Sequence, residues 1–308
     1  LITSKQFTLY YILYIRMFIS CCATSLLTDY YYIGAVVEHN IYQGTDDESS
    51  QSKLSKNLDL YEELISLSAE HNVQVLVFPE FGLTPGPMKI RSDLYPYIEV
   101  IPEVSENIIP CNNTLFSDRP ILQRMSCSAI YNQQLILINM IDNVTCSINN
   151  DINCPSDQHY QYNTDVILDK TGQIVAKYHK SHEVKSLQSA YNVPLDPSHI
   201  TYKTDFNVEF GLFTCFDIMW YDPPKILIKN NIQHFLYAVD MHEIGDKTII
   251  QSWSQNNNAT MLSSNLGAGK YDCSDILVNG KSLSSKKYYI NNNNFPDENI
   301  LVSIIPSL

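Results

Sequence analysis

The feature that most restricts the fold of this chain is a helical repeat running straight into an apolar run. Leu54, Leu58, Tyr61, Leu64, Ile65 and Ser68 recur at helical spacing up to Asn72, and VQVLVF (73–78) follows. The spacing places those side chains on one face of a helix. A near-continuous apolar run predicts a strand covered on both faces, as in a layered α/β sheet. The same order recurs along the chain. YYIGAVV (31–37) is a β-rich run, and GTDDESSQS (44–52) reads as a disordered polar loop. Residues 110–131 read as a helix carrying Cys127, followed by the strand LILINM (135–140). YNTDVILDKTGQIVAKYHK (162–180) reads as two strands around Asp169-Lys170-Thr171-Gly172, where Gly172 supplies the positive φ that such a turn wants. EFGLF (209–213) and HFLYAVD (234–240) are further strands, with a short helix from Pro223 to Asn230 between them. Repeated β-α-β order with one antiparallel hairpin predicts a layered α/β domain of mixed sheet over residues 28–308, with no internal repeat.

Composition narrows the partners. With 308 residues, 44% hydrophobic, the chain can bury a full core. A net charge of -13 with dispersed carboxylates argues against nucleic acid and against an anionic membrane surface, since both need basic patches. Residues 1–27 contain the apolar stretch FTLYYILYIRMFISCCATSLL and read as a signal peptide or apolar leader, with Ala23 and Ser25 near a cleavage point. A membrane anchor there is the weaker reading, because Arg16 would be costly inside a bilayer. The C-terminal ILVSIIPSL is too short to span a membrane and reads as no anchor. Sequons at Asn112, Asn143 and Asn258 fit a secretory route and nominate glycosylation there. The eight cysteines fit the same compartment. Cys146 and Cys154 bracket a polar loop and make the first disulfide candidate; Cys111 with Cys127 is the next, and Cys273 is left without an assigned partner. None has a CxxC spacing or a nearby His pair, so no metal is expected.

Three predicted strands end on a reactive or ionisable residue: VLVFPE on Glu80, AKYHK on Lys180 and FGLFTC on Cys215. Open α/β sheets display catalytic groups at strand ends. A cysteine thiol that attacks a carbonyl must lose its proton, and a free thiol with a pKa of about 8.5 is mostly protonated near neutrality. Glu80 could take that proton, pass it to a leaving amine and then activate water. Lys180 and the backbone N–H of Phe216 could stabilise the oxyanion. Each residue also has a plainer reading. Cys215 could be an inert core thiol, Glu80 a surface carboxylate and Lys180 a solvated lysine in KYHKSHEVK. His179 or His182 could pair with Cys215 instead, but one of them would have to turn in from a strand whose lysine already does.

FPEFG, KYHK and FGLFTCFDIMWYDP resemble the Glu, Lys and Cys motifs of the nitrilase, or carbon–nitrogen hydrolase, superfamily. Their order and spacing, with YIGAVVEH, IPCNN, RMSCSA, YQYNTDV and YNVPLDP, are similar to its vanin and biotinidase branch. The resemblance runs from about residue 31 to about residue 224. It implies an α-β-β-α sandwich with mixed sheets, a secreted or membrane-associated glycoprotein, no cofactor, and a triad of Glu80, Lys180 and Cys215. It nominates pantetheine as the substrate, with biocytin as the alternative. Against the family pattern, the positions expected for a second glutamate read Ser186 and Leu187, with Glu183 too early by this count unless a local shift brings it in, and AVDM (238–241) replaces a segment bearing a pocket tryptophan, placing Asp240 near the pocket wall. These departures leave a catalytically degenerate binding protein as the rival reading. The family's further C-terminal β-rich region is also expected to be missing after Leu308.

Overall fold

Side-chain alternation along the central strands sorts the apolar residues onto two faces, and the architecture follows from covering both. A computed structural model describes residues 31–86, 88–241, 246–267, 274–283, 286–290 and 299–307. In chain order, β1 (Tyr31–Glu38) leads to α1 (Ser50–Glu70) and β2 (Val75–Val77), then β3 (Ile98–Glu99) and α2 (Pro120–Asn132). The strands β4 (Leu135–Thr145), β5 (His159–Leu168) and β6 (Ile174–His179) form an antiparallel meander. The pair β7 (Thr201–Lys203) and β8 (Glu209–Leu212) precedes α3 (Pro224–Lys229), β9 (His234–Val239), α4 (Asp246–Asn256) and β10 (Thr260–Asn265). The strands β11 (Asp275–Val278), β12 (Lys281–Ser282), β13 (Lys286–Tyr289) and β14 (Asn299–Pro306) follow.

These strands form two mixed sheets. The 8-stranded sheet runs β13-β14-β1-β2-β4-β5-β6, with β3 beside β4, and the 6-stranded sheet runs β12-β11-β10-β9-β8-β7. Each has a parallel centre, β1-β2-β4 in one and β8-β9-β10 in the other, flanked mainly by antiparallel strands. Tyr32, Val36, Val75, Val77, Leu135 and Leu137 point toward the second sheet and pack with Phe210, Leu212, Leu236 and Leu262. Their neighbours Ala35, Val37, Leu76, Ile136 and Ile138 point the other way, onto Leu54, Leu58, Tyr61 and Leu64 of α1 and onto Leu122 and Met125 of α2. On the far side of the second sheet, Trp253 of α4 packs on Phe213 and Phe235, and Ile250 belongs to the same apolar cluster. The result is an α-β-β-α sandwich.

Several local expectations are corrected. The stretch 44–52 is not a disordered loop: α1 begins at Ser50, with the Ser49 hydroxyl accepting from Ser52 N–H. Glu48 orders the approach by pairing with Lys56 at 2.8 Å and accepting from Ser52 Oγ and Tyr42. The helix expected over 110–131 starts only at Pro120, because the Glu99 carboxylate accepts from Ile121 and Leu122 N–H and so caps it there. Cys111 therefore lies outside the helix, joined to Cys127 by a disulfide with Cα atoms 4.8 Å apart. A second disulfide joins Cys146 and Cys154. Gly172 takes φ +77° in the β5–β6 turn, where its N–H donates to Asp169 O. Asn112 and Asn258 are exposed, whereas Asn143 is half-buried within β4. The leader, Cys21, Cys22 and Cys273 lie outside the described residues, among which no helix is long and apolar enough to cross a membrane.

Phe213 fills the joint between the layers, its ring 5.3 Å from Phe235, 5.1 Å from Tyr237 and 5.1 Å from Trp253. Phe213→Ala is expected to lower the unfolding free energy by about 3–5 kcal/mol, measured by urea denaturation.

Candidate active site

The site begins where the inner faces of the first sheet change from apolar to polar. On β4 the inward residues run Leu135, Leu137, Asn139; on β5 they run Ile167, Asp165, Asn163, in antiparallel register. On β6 they run Ala176, Tyr178 and then Lys180 just past its end. A strand repeats every two residues, so each polar group continues the stripe that packs the core. All are buried. Glu80 reaches the same place from the segment after β2. Phe81 holds φ +61° there, its N–H donating to Asn139 Oδ1, and the backbone oxygen of Gly82 is bonded by His39 Nε2. A Cβ on residue 82 would run into the Tyr61 hydroxyl, so glycine is needed there.

Lys180 Nζ lies 2.6 Å from Glu80 Oε1 and 3.2 Å from Glu183 Oε2. Asn163 Nδ2 donates to Glu80 Oε1 at 2.7 Å and to Glu183 Oε1 at 2.9 Å. The other oxygen of Glu80, Oε2, is buried without a hydrogen-bond partner among the described residues. Glu183 thus occupies the place of the second carboxylate through the local shift, and the expectation from Ser186 and Leu187 is corrected. The chain turns immediately after Lys180, so a glutamate three residues on comes back to the ammonium, while Ser186 is exposed.

Cys215 opens a 3-10 turn (Cys215–Met219) directly after β8 and has φ +43°. A left-handed backbone at a non-glycine residue is strained and persists only where its surroundings enforce it. Here Tyr237 OH donates to Cys215 O at 2.7 Å, and Thr214 N–H donates to Asp217 Oδ2 at 3.0 Å. Thr214 Oγ1 donates to Asp165 Oδ2 at 2.6 Å. Asp217 also accepts from Tyr178 OH at 2.7 Å and from His182 N–H at 2.9 Å. One buried carboxylate therefore ties the cysteine turn to the lysine segment. Cys215 Sγ points toward Asp240 O at 3.8 Å. Phe216, next in the turn, presents its N–H at the start of a helix, where such groups lack intrahelical partners.

Burial and charge set the protonation states. Burial pushes the Cys215 thiol well above its ordinary pKa, Glu80 adds to this, and Lys180 partly opposes it. Burial also raises Glu80, against the pull of Lys180, and raises Glu183 to about 7. For Lys180, burial favours the neutral amine, but the nearby Glu80 and Glu183 carboxylates outweigh it and hold the pKa well above the usual amine value. The resting cluster is therefore a neutral thiol beside a fixed ammonium flanked by two carboxyls that ionise at unusually high pH. Asp165, buried behind them, is raised to about 7 for the same reason.

Glu80, Lys180 and Cys215, named from three strand ends, converge at one point, with Phe216 beside the thiol. The histidines do not join them: His179 Nε2 lies 2.8 Å from Asp142, and His182 Nδ1 lies 2.9 Å from Asp217, its ring stacked on Trp220. Asp240 is close enough for its carboxylate to raise Glu80 further. Trp253 packs behind the cysteine strand. Sequence reasoning missed Asn139, Asn163, Asp165 and Asp217; the first three were legible as polar residues prolonging an inward strand face. Among the described residues no group of three or more His, Cys, Asp or Glu is arranged to hold a metal ion.

The carbon–nitrogen hydrolase profile matches residues 35–262, and the chain belongs to that family. It is 32% identical over 273 residues to pantetheinase from Bos taurus, covering 82% of this chain and 51% of the relative. It is 37% identical over 204 residues to pantetheinase from Mus musculus, covering 64% and 39%. It is 33% identical over 248 residues to biotinidase from Takifugu rubripes, covering 76% and 49%. The chain thus spans about half or less of the length of these relatives. The fold is that of the nitrilase superfamily: an amidase from Nesterenkonia superposes with a TM-score of 0.64 over 91% of this chain and 92% of the amidase, at 14% identity. A variant of that amidase carries the acetamide moiety of fluoroacetamide on its active-site cysteine.

Asp217→Ala removes the acceptor shared by Tyr178, Thr214 and His182. It is expected to lower stability by about 3 kcal/mol, read from the urea midpoint at unchanged slope.

Proposed function

We propose that this protein is a cysteine amidase that hydrolyses a small linear amide, with pantetheine, cleaved to pantothenate and cysteamine, as the leading substrate. The observation that carries this is the Lys180–Glu80 contact of 2.6 Å beside a buried thiol held at positive φ, in a chain related to pantetheinases. Glu80 Oε2 takes the thiol proton as Cys215 Sγ attacks the amide carbon. Lys180 has three N–H donors, of which two go to Glu80 and Glu183. The third, with Phe216 N–H, stabilises the oxyanion, each such donor contributing about 3 kcal/mol. Collapse breaks the C–N bond, and Glu80 passes its proton to the departing amine. Water then attacks the thioester as Glu80 removes its proton. The C–S bond breaks, the proton returns to sulfur, and the acid is released.

Glu183 removes the main argument for a degenerate binding protein, because it supplies the second carboxylate beside Lys180. Biocytin is the second substrate reading, supported by the biotinidase relative. The two disulfides, the sequons at Asn112, Asn143 and Asn258 and the apolar residues 1–27 support a secreted glycoprotein. Among the sequons, exposure favours glycosylation at Asn112 and Asn258 over Asn143.

Purified protein is expected to release cysteamine from pantetheine, and Cys215→Ala to abolish release. Biotin release from biocytin alone would reassign the substrate, and silence on both amides from folded protein would sink the reading. Lys180→Ala is expected to lower kcat/KM by about 100-fold or more. A carboxylate whose pKa is raised is charged only above the raised value, so a base in this cluster works on the alkaline side. Activity is therefore expected to fall toward acid pH, as Glu80, whose carboxyl burial holds above its ordinary range, gains a proton. A rate independent of pH between 5 and 8 would contradict the assignment.

A further inference from the structure

A chain of buried amides connects the reacting carboxylate to the strand that carries the nucleophile. Asn163 stands at its centre. Glu80 and Lys180 arise from β2 and β6, which are separated in the sheet by β4 and β5. Asn139 on β4 and Asn163 on β5 fill that interval. Asn163 Nδ2 bonds both glutamates, and its Oδ1 accepts from Asn139 Nδ2 at 2.7 Å. Asn139 Nδ2 also donates to Asp165 Oδ1 at 2.8 Å, and its Oδ1 accepts from Phe81 N–H at 3.0 Å. Asp165 is in turn bonded by Thr214, the residue before the cysteine.

Each link fixes the orientation of the next. A backbone N–H can only donate, so Phe81 holds Asn139 Oδ1 on its own side and turns the Asn139 NH2 group toward Asp165. That same NH2 engages Asn163 Oδ1, which obliges the Asn163 NH2 group to face the two glutamates. Glu80 Oε1 then receives two donors, from Lys180 and Asn163, which leaves Oε2 as the oxygen free to meet the thiol. Without Asn163 the carboxylate could rotate about its terminal bond, which is soft for an sp² group. It could then present to sulfur the oxygen already engaged by the ammonium.

We propose that Asn163 is a positioning residue, holding Glu80 so that Oε2 faces Cys215, and that Asn139 and Asp165 orient Asn163 in that task. The proposal rests on the reading of Glu80 as the base. Its test therefore measures the thiol directly, without any substrate: the rate of Cys215 alkylation by iodoacetamide, followed by peptide mass spectrometry between pH 5 and 9.

Glu80→Gln tests the underlying reading, and Asn163→Ala and Asn163→Asp test the positioning. In Asn163→Ala the donor is gone, and alkylation is expected to slow at least about tenfold, a part of the usual general-base contribution. In Asn163→Asp, isosteric with the native amide, the new carboxyl can donate only while protonated. It would face Glu80, Glu183 and Lys180 directly, with Asp165, Cys215, Tyr191 and Asp240 around the cluster. Alkylation in that variant is expected to approach the wild-type rate at the acid end of the range and to fall behind it increasingly as pH rises. A loss of stability alone would not produce that dependence. Should Asn163→Ala prove too unstable to purify, the isosteric variant carries the test by its pH dependence. If Glu80→Gln slows alkylation while folded Asn163→Asp follows wild type within about twofold at every pH, the positioning role is overturned and the base assignment stands. If Glu80→Gln itself alkylates like wild type, Glu80 is not the base and both ideas fail.

Discussion

The site depends on a single ammonium group removed from water. Lys180 Nζ is buried, and burial alone would drive it toward the neutral amine. Glu80 and Glu183 keep it charged, while the lysine limits how far burial can neutralise them. Such a cluster is strongly destabilised when one partner is removed, because an uncompensated buried charge remains. The fold must therefore bring three separate segments together with little latitude. It does so with β2, the end of β6 and the turn that follows it, using Asn139 and Asn163 to span the intervening strands.

Cys215 is held by a different set of contacts that meet the first through Asp165 and Asp217. Asp217 accepts from the cysteine turn and from the lysine segment, and Asp165 bonds both Thr214 and Asn139. The strained backbone at Cys215 is thus maintained by groups that also orient the carboxylates. A buried polar network of this kind is rigid only when all its members are satisfied. The large aromatic core behind it, with Phe213, Phe235, Tyr237 and Trp253, supplies the packing against which the strain is held.

Much of this was legible in the sequence because strand periodicity is local. The alternation Ala176, Tyr178, Lys180 already directs the lysine inward, and the apolar runs ending at Glu80 and Cys215 mark two further strand ends. The resemblance to the nitrilase superfamily joined the three, which no periodicity could do. What the sequence hid were turns and long-range partners. Glu183 looked misplaced because counting along the chain ignores the sharp reversal after Lys180. The start of α2 was misjudged because its cap, Glu99, lies far back in the chain, and the stretch 44–52 gains its order from Glu48 contacts that composition does not reveal.

In the proposed reaction Cys215 becomes acylated while Lys180 and Glu80 manage charge and proton. The most direct measurement is rapid acid quenching of the protein mixed with pantetheine, followed by mass spectrometry of the peptide containing Cys215. A pantothenoyl thioester is expected on Cys215 and disappears with time as pantothenate forms. Cysteamine released at full rate with no adduct on Cys215 at any quench time, or with the acyl group on another residue, would contradict it.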